Sequence, residues 1–158
     1  MNNIYFYQTQ LGEIGIAENG EAITEFCFGR KEKYGYKEFE SELIKEAYNQ
    51  LQQFIAGSRQ DFDLPLAPKG TEFQLKVWKA LQQIPYGETC SYKDIAEKIG
   101  NIKACRAVGM ANNRNPIPVF IPCHRVIGAN GTLVGYGGGL HIKKKLLKIE
   151  NNRISRDR

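Results

Sequence analysis

The longest apolar run in the chain, residues 117–122, holds Pro118 and Pro122, and the apolar character continues to Val126. Proline removes a backbone donor and clashes with the preceding helical turn, so this run cannot be helical. It is also far short of the ~20 residues that a membrane helix needs. An extended segment inside a globular core is the prediction for 117–126. The chain of 158 residues is long enough to bury such a core, in one or two small domains. An apolar fraction of 42% with 25% charged residues excludes general disorder.

Before this segment the pattern changes twice. Residues 4–7, 14–17 and 23–28 read as short strands, with turn signals at Leu11-Gly12 and Asn19-Gly20. Residues 39–56 read as a helix with Leu43, Ile44, Tyr48, Leu51 and Ile55 at helical spacing, closed by Gly57. Residues 61–70, with two prolines, read as a linker. Thr71 is a plausible N-cap for a helix whose apolar stripe is Phe73, Val77, Trp78 and Leu81. Two short helices are expected next, 92–99 capped by Ser91 and ended by Gly100, and 103–112 stopped before Pro116. A short helix, a glycine turn and a second helix outline a helix-turn-helix. A final basic helix is expected over 140–151, with a frayed tail at 152–158.

The charge divides the chain as the pattern does. Residues 1–86 carry 9 basic and 12 acidic side chains, a net of −3, and residues 87–158 carry 13 and 5, a net of +8. A basic half beside an acidic half suits a polyanion-binding module with a companion domain. The second short helix is small-sided, with Ala104, Ala107, Gly109 and Ala111. Such a face suits close approach to a groove or to the protein's own core, and the residues alone do not choose.

The chemistry concentrates in Pro122-Cys123-His124-Arg125-Val126. A thiol becomes a good nucleophile beside a base or positive charge, and both follow Cys123 directly. Neighbours on an extended segment point to opposite faces, so His124 can serve Cys123 only through a local turn or a bridging water. Glu150 is the candidate carboxylate to orient the imidazole. Cys27, Cys90 and Cys105 read as packing residues. The four cysteines and two histidines lack zinc spacing. Residues 1–7 lack the basic start and apolar stretch of a secretion signal, so a cytoplasmic monomer away from membranes is expected.

Residues 115–126, Asn-Pro-Ile-Pro-Val-Phe-Ile-Pro-Cys-His-Arg-Val, resemble the active-site segment of the O6-alkylguanine-DNA alkyltransferases. The resemblance keeps register from Phe73 to about Glu150. It takes in Tyr86-Gly87-Glu88, Ser91-Tyr92, Arg106-Ala107-Val108-Gly109, Tyr136 with the glycines after it, and Lys143 to Glu150. It implies an α+β fold, with a small ribonuclease-H-like domain over 1–65 and a winged helix-turn-helix domain over 66–158. The implied activity is stoichiometric transfer of the alkyl group from O6-alkylguanine in double-stranded DNA to Cys123, with no cofactor. O4-alkylthymine is the alternative lesion.

By that resemblance Cys123 is the acceptor, His124 its base through a water, and Glu150 the partner of His124. Asn115 ties the recognition helix to the active-site segment, and Tyr92 donates to guanine N3. The backbone carbonyls of Cys123 and Val126 accept from the guanine amino group. Tyr136 flanks the base, and the Gly137 N–H faces O6; relatives can carry serine where Gly137 stands. Arg106 fills the stack left by the flipped nucleotide, a step that chemistry on a buried base requires. Ser91, Ala104, Ala107, Gly109 and Ala111 are expected at the minor groove. No zinc is expected, since the first part offers only Cys27. Two other readings stay open: a DNA-binding regulator without chemistry, and a cysteine hydrolase using Cys123, His124 and Glu150.

Overall fold

The structure, a computed structural model, describes residues 2–131 and 136–151. The expected tail at 152–158 and part of the expected wing lie outside the described residues. Strands β1 (Asn3–Thr9), β2 (Gly12–Glu18), β3 (Ile23–Phe28) and β4 (Lys37–Glu38) form one sheet in the order β3-β2-β1-β4. The first three pair antiparallel, and Gly12 and Gly20 turn the chain between them at φ +91° and +97°. The exposed pair Lys37-Glu38 carries no strand signal in its sequence. It becomes β4 because the free edge of β1 offers the Asn2 and Ile4 carbonyls to Lys37 N–H and Phe39 N–H, at 2.9 and 3.0 Å.

Helix α1 (Glu42–Ile55) lies on this sheet. It starts later than the pattern suggests, because residues 37–38 belong to β4 and the Ser41 hydroxyl caps Ile44 N–H. Its buried stripe is Ile44, Ala47, Leu51 and Phe54. Tyr48 stays half-buried and stacks on Tyr7, ring centroids 3.7 Å apart.

Residues 61–70 are irregular, yet tied down at both faces. The buried Gln50 carboxamide accepts from Asp63 N–H and donates to the Asp63 carbonyl. Ile23 N–H donates to the Pro65 carbonyl, and Ala67 N–H to the Ile23 carbonyl, each at 2.8 Å. Further along the same edge of β3, Phe26 N–H donates to the Pro116 carbonyl at 2.8 Å. Unpaired strand edges need a partner or a cover. Here the edge of β3 holds the start of the proline-punctuated segment.

Helices α2 (Glu72–Leu81), α3 (Tyr92–Lys98), α4 (Cys105–Asn113) and α5 (Leu140–Glu150) form the second part. Thr71 with Gln74, and Ser91 with Asp94, make capping boxes at α2 and α3. Gly100, at φ +80°, turns the chain from α3 toward α4. The Trp78 indole N–H donates to the Ala111 carbonyl at 2.8 Å and locks α2 to α4.

The segment 117–126 is not the simple extended run that its composition suggests. Val119 sits at φ +75°, Ile121 N–H bonds back to the Ile117 carbonyl, and Cys123–Arg125 form a single 3-10 turn. Only β6 (Val126–Ile127) is strand, parallel to β5 (Cys90–Ser91). Prolines without N–H groups cannot sustain a ladder, so the segment satisfies itself with local turns. One apolar cluster runs from Ile14 and Phe26 in the sheet through Trp78 and Phe120 to Leu146 on α5. No helix among the described residues is long and apolar enough to cross a membrane.

Candidate active site

The 3-10 turn answers the geometric objection raised by an extended segment. Arg125 N–H donates to the Pro122 carbonyl at 3.0 Å, and Val126 N–H to the Cys123 carbonyl. Cys123, His124 and Arg125 therefore leave one tight bend, and all three are buried. The bend is held from α4. Asn115 Nδ2 donates to the Ile121 carbonyl, and Asn115 Oδ1 accepts from Ile117 N–H, both at 2.9 Å. Asn112 Nδ2 donates to the Cys123 carbonyl at 3.4 Å.

Glu150, at the end of α5, gathers the charged groups. It lies 2.5 Å from His124 Nε2 and 2.9 and 3.1 Å from Arg125 Nε, and it accepts Gly87 N–H at 3.1 Å. Arg125 also donates to the Ile84 carbonyl at 2.7 Å and lies over the Tyr86 ring. A buried ion pair survives only when its remaining donors are satisfied in this way. Burial pushes the Glu150 carboxyl up, but hydrogen bonds and charge from His124 and Arg125 prevail and hold it below the usual 4.5. Burial pulls His124 below 6.5 against the opposing pull of Glu150.

Both shifts favour a carboxylate beside Arg125 and an uncharged imidazole. In an uncharged ring whose Nε2–H donates to Glu150, Nδ1 carries the lone pair. That atom is buried and has no hydrogen-bond partner among the described residues. Burial pushes the Cys123 thiol up to about 11, while Asn115, Lys143 and Tyr136 draw it the other way. A thiol in this state needs a base to become a nucleophile, and His124 is placed in the same turn.

Tyr92 opens α3 half-buried, and burial together with the nearby Cys123 raises its hydroxyl above 10.0. Gly109 of α4 lies under the ring, where an added Cβ would stand 3.8 Å away. Tyr136 also lies near Cys123, and burial together with that neighbour pushes its hydroxyl well up. Its ring centroid is 5.9 Å from that of Phe28 on β3, so the sheet supports this wall. Gly137 is exposed at the following position.

On the helix-turn-helix, Arg106 and Ala107 are exposed, and Ala104 and Gly109 are half-buried. The expectation that Ala111 meets DNA fails. It has no exposed surface, and α2 covers it through Trp78. The Ser91 hydroxyl is engaged as the α3 cap. Cys27 is buried as expected of a packing residue, whereas Cys90 and Cys105 are only partly covered.

Two groups escape the sequence pattern. Arg125 reads as a positive neighbour of Cys123, whereas its guanidinium belongs to Glu150. Lys143 reads as one of four lysines, with Lys144, Lys145 and Lys148, of a basic helix. It is fully buried, and Nζ donates to the Val126 carbonyl at 2.7 Å. Helical spacing carried that signal, since Lys143 stands three residues before Leu146 and seven before Glu150, on the buried face of α5. Among the described residues, no group of three His, Cys, Asp or Glu side chains is placed to hold a metal.

Comparison with known proteins agrees over both parts of the chain. Residues 72–152 match the model of the 6-O-methylguanine DNA methyltransferase DNA binding domain. Residues 4–68 match that of the 6-O-methylguanine DNA methyltransferase ribonuclease-like domain. The methylated-DNA--protein-cysteine methyltransferase of Methanosarcina acetivorans is 51% identical, over 92% of this chain and 96% of that protein. The constitutive enzyme of that name from Bacillus subtilis is 49% identical, over 98% of each. The structure of Mycobacterium tuberculosis OGT in complex with DNA superposes with a TM-score of 0.90 at 41% identity, covering 96% of this chain and 94% of that one.

Proposed function

The chain belongs to the 6-O-methylguanine DNA methyltransferase family, and on that premise we propose how its residues repair DNA by moving an alkyl group from guanine O6 to Cys123. α4 enters the minor groove with Arg106 leading. The damaged nucleotide leaves the stack, at a cost of roughly a few kcal/mol, and the Arg106 guanidinium takes its place. The base then lies between Tyr92 and Tyr136, with its amino group toward the Cys123 and Val126 carbonyls and O6 toward the Gly137 N–H.

His124 Nδ1, through a bridging water, takes the thiol proton, and Glu150 stabilises the imidazolium that forms. The sulfur attacks the alkyl carbon. A carbon–sulfur bond forms, the carbon–oxygen bond breaks, and its electron pair stays on guanine, aided by the Tyr92 hydroxyl at N3. The proton lost by the thiol ends on the guanine ring. The thioether has no leaving group that water can displace under these conditions, so each molecule reacts once, as a monomer and without cofactor.

The observation that carries this reading is the bend that buries Cys123 beside His124, whose Nε2 meets Glu150 and whose Nδ1 has no hydrogen-bond partner among the described residues. The division at residues 65 and 66 separates the supporting sheet from the reactive part, and the cytoplasm is the proposed location. Titrating the protein with duplex DNA containing O6-methylguanine tests the reading. One lesion should be cleared per molecule, and Cys123→Ala should bind DNA and clear none. Several lesions cleared per molecule would point to a turnover enzyme such as a hydrolase. Binding with no transfer would point to a regulator.

A further inference from the structure

Two carboxamides hold the active-site segment, one on α4 and one just past its end, and they are not equivalent. Asn115 uses both of its polar atoms on the backbone of 117–121. Asn112 lies on α4 itself and is 2% exposed. Its Nδ2 donates to the Cys123 carbonyl, and its Oδ1 is buried with no partner among the described residues. Turning the amide over would set two acceptors against each other and leave two donors unsatisfied, so this orientation is the one the surroundings allow. The neighbours Val108 and Ala111 on α4 are fully buried apolar residues, and a leucine would suit that setting better than a half-used amide.

We propose that Asn112 is a positioning residue for alkyl transfer, which sets the direction in which the Cys123 carbonyl meets the guanine 2-amino group. The proposal rests on the reading of Cys123 as the alkyl acceptor. The Cys123 carbonyl belongs to the same residue as the thiol, so its direction fixes how far the bound base lies from the sulfur. The same carbonyl accepts from Val126 N–H, so the turn and Asn112 together fix its direction. Because Asn112 sits on the helix that carries Arg106, engagement of the groove and alignment of the acceptor share one rigid element.

The test compares two duplexes in the full chain, one with O6-methylguanine and one with O6-methylhypoxanthine, which lacks the 2-amino group. Asn112→Leu should slow transfer from the first by about tenfold and from the second by less than about twofold, so the preference between them collapses. Asn112→Ala should give the same collapse and keeps the comparison available if leucine disturbs folding. Equal losses on both substrates would assign Asn112 to packing alone and overturn the proposal, as would no loss on either. If the unsubstituted chain transferred from neither duplex, the reading of Cys123 itself would fall.

Discussion

Glu150 accepts from His124, Arg125 and the Gly87 amide at once, so removing its charge leaves the buried guanidinium uncompensated. Breaking such a pair costs about 3–5 kcal/mol. Glu150→Gln keeps the shape, and urea unfolding should show a loss of about 3 kcal/mol; a loss below about 1 kcal/mol would place the pair's worth at a surface level. Acid should act through the same cluster. His124 is depressed below 6.5 in the fold, so its contribution is complete above that value and declines as pH falls through the folded one. Glu150 is depressed below 4.5, and its contribution is lost in the same direction at lower pH. The unfolding midpoint should therefore fall as pH drops from about 7 to 4, and more steeply above about 4.5 in Glu150→Gln, which loses the group that opposes the depression of His124. At this scale Cys123, His124 and Glu150 were legible through their resemblance to a family. Arg125 and Lys143 were not, because a cationic side chain reads as solvated until its buried partner is known.

Among the elements, the loop of residues 136–139 is pressed against β3. A Cβ at Gly138 would stand 2.8 Å from the Phe28 ring, while one at Gly137 would meet nothing within 4 Å. Gly138→Ala should cost about 1–3 kcal/mol and slow transfer by displacing Tyr136, whereas Gly137→Ala should change stability by less than about 0.5 kcal/mol. Equal melting temperatures for the two would contradict the contact. For α4, Arg106→Ala should reduce repair of duplex DNA more than reaction with the free modified base; equal losses would remove its part in flipping. The capped starts of α2 and α3 and the glycine turn before α4 could be read directly, because caps and turns are local chemistry. β4, the β5–β6 pair and the left-handed Val119 could not, since each depends on what a distant segment offers. The small-sided face of α4 divides: Ala107 is exposed, and Ala111 is buried where the Trp78 indole bonds its carbonyl.

Across the whole molecule the opposed charges of the two parts coexist with one shared core. Phe26 and Phe62 reach Phe120 from either side, and Phe28 reaches Tyr136, so the acidic part buttresses the bend from behind. Lys145 Nζ reaches back to the Gln10 carbonyl at 2.7 Å, tying α5 to the first hairpin. The sequence showed two compositions and no reason for their union. That reason is long-range packing, which leaves no periodic trace. Binding by the basic part should release counterions, so affinity for DNA should fall by about tenfold or more between about 50 and 200 mM salt. A flat dependence would detach the charge from the function. The central claim, that Cys123 is the sole acceptor, is tested most directly by peptide mass spectrometry after incubation with duplex DNA bearing O6-methylguanine. One methyl group should appear on the peptide containing Cys123 and none on those containing Cys27, Cys90 or Cys105. Methylation of another cysteine, or an unmodified protein beside a cleared lesion, would contradict it.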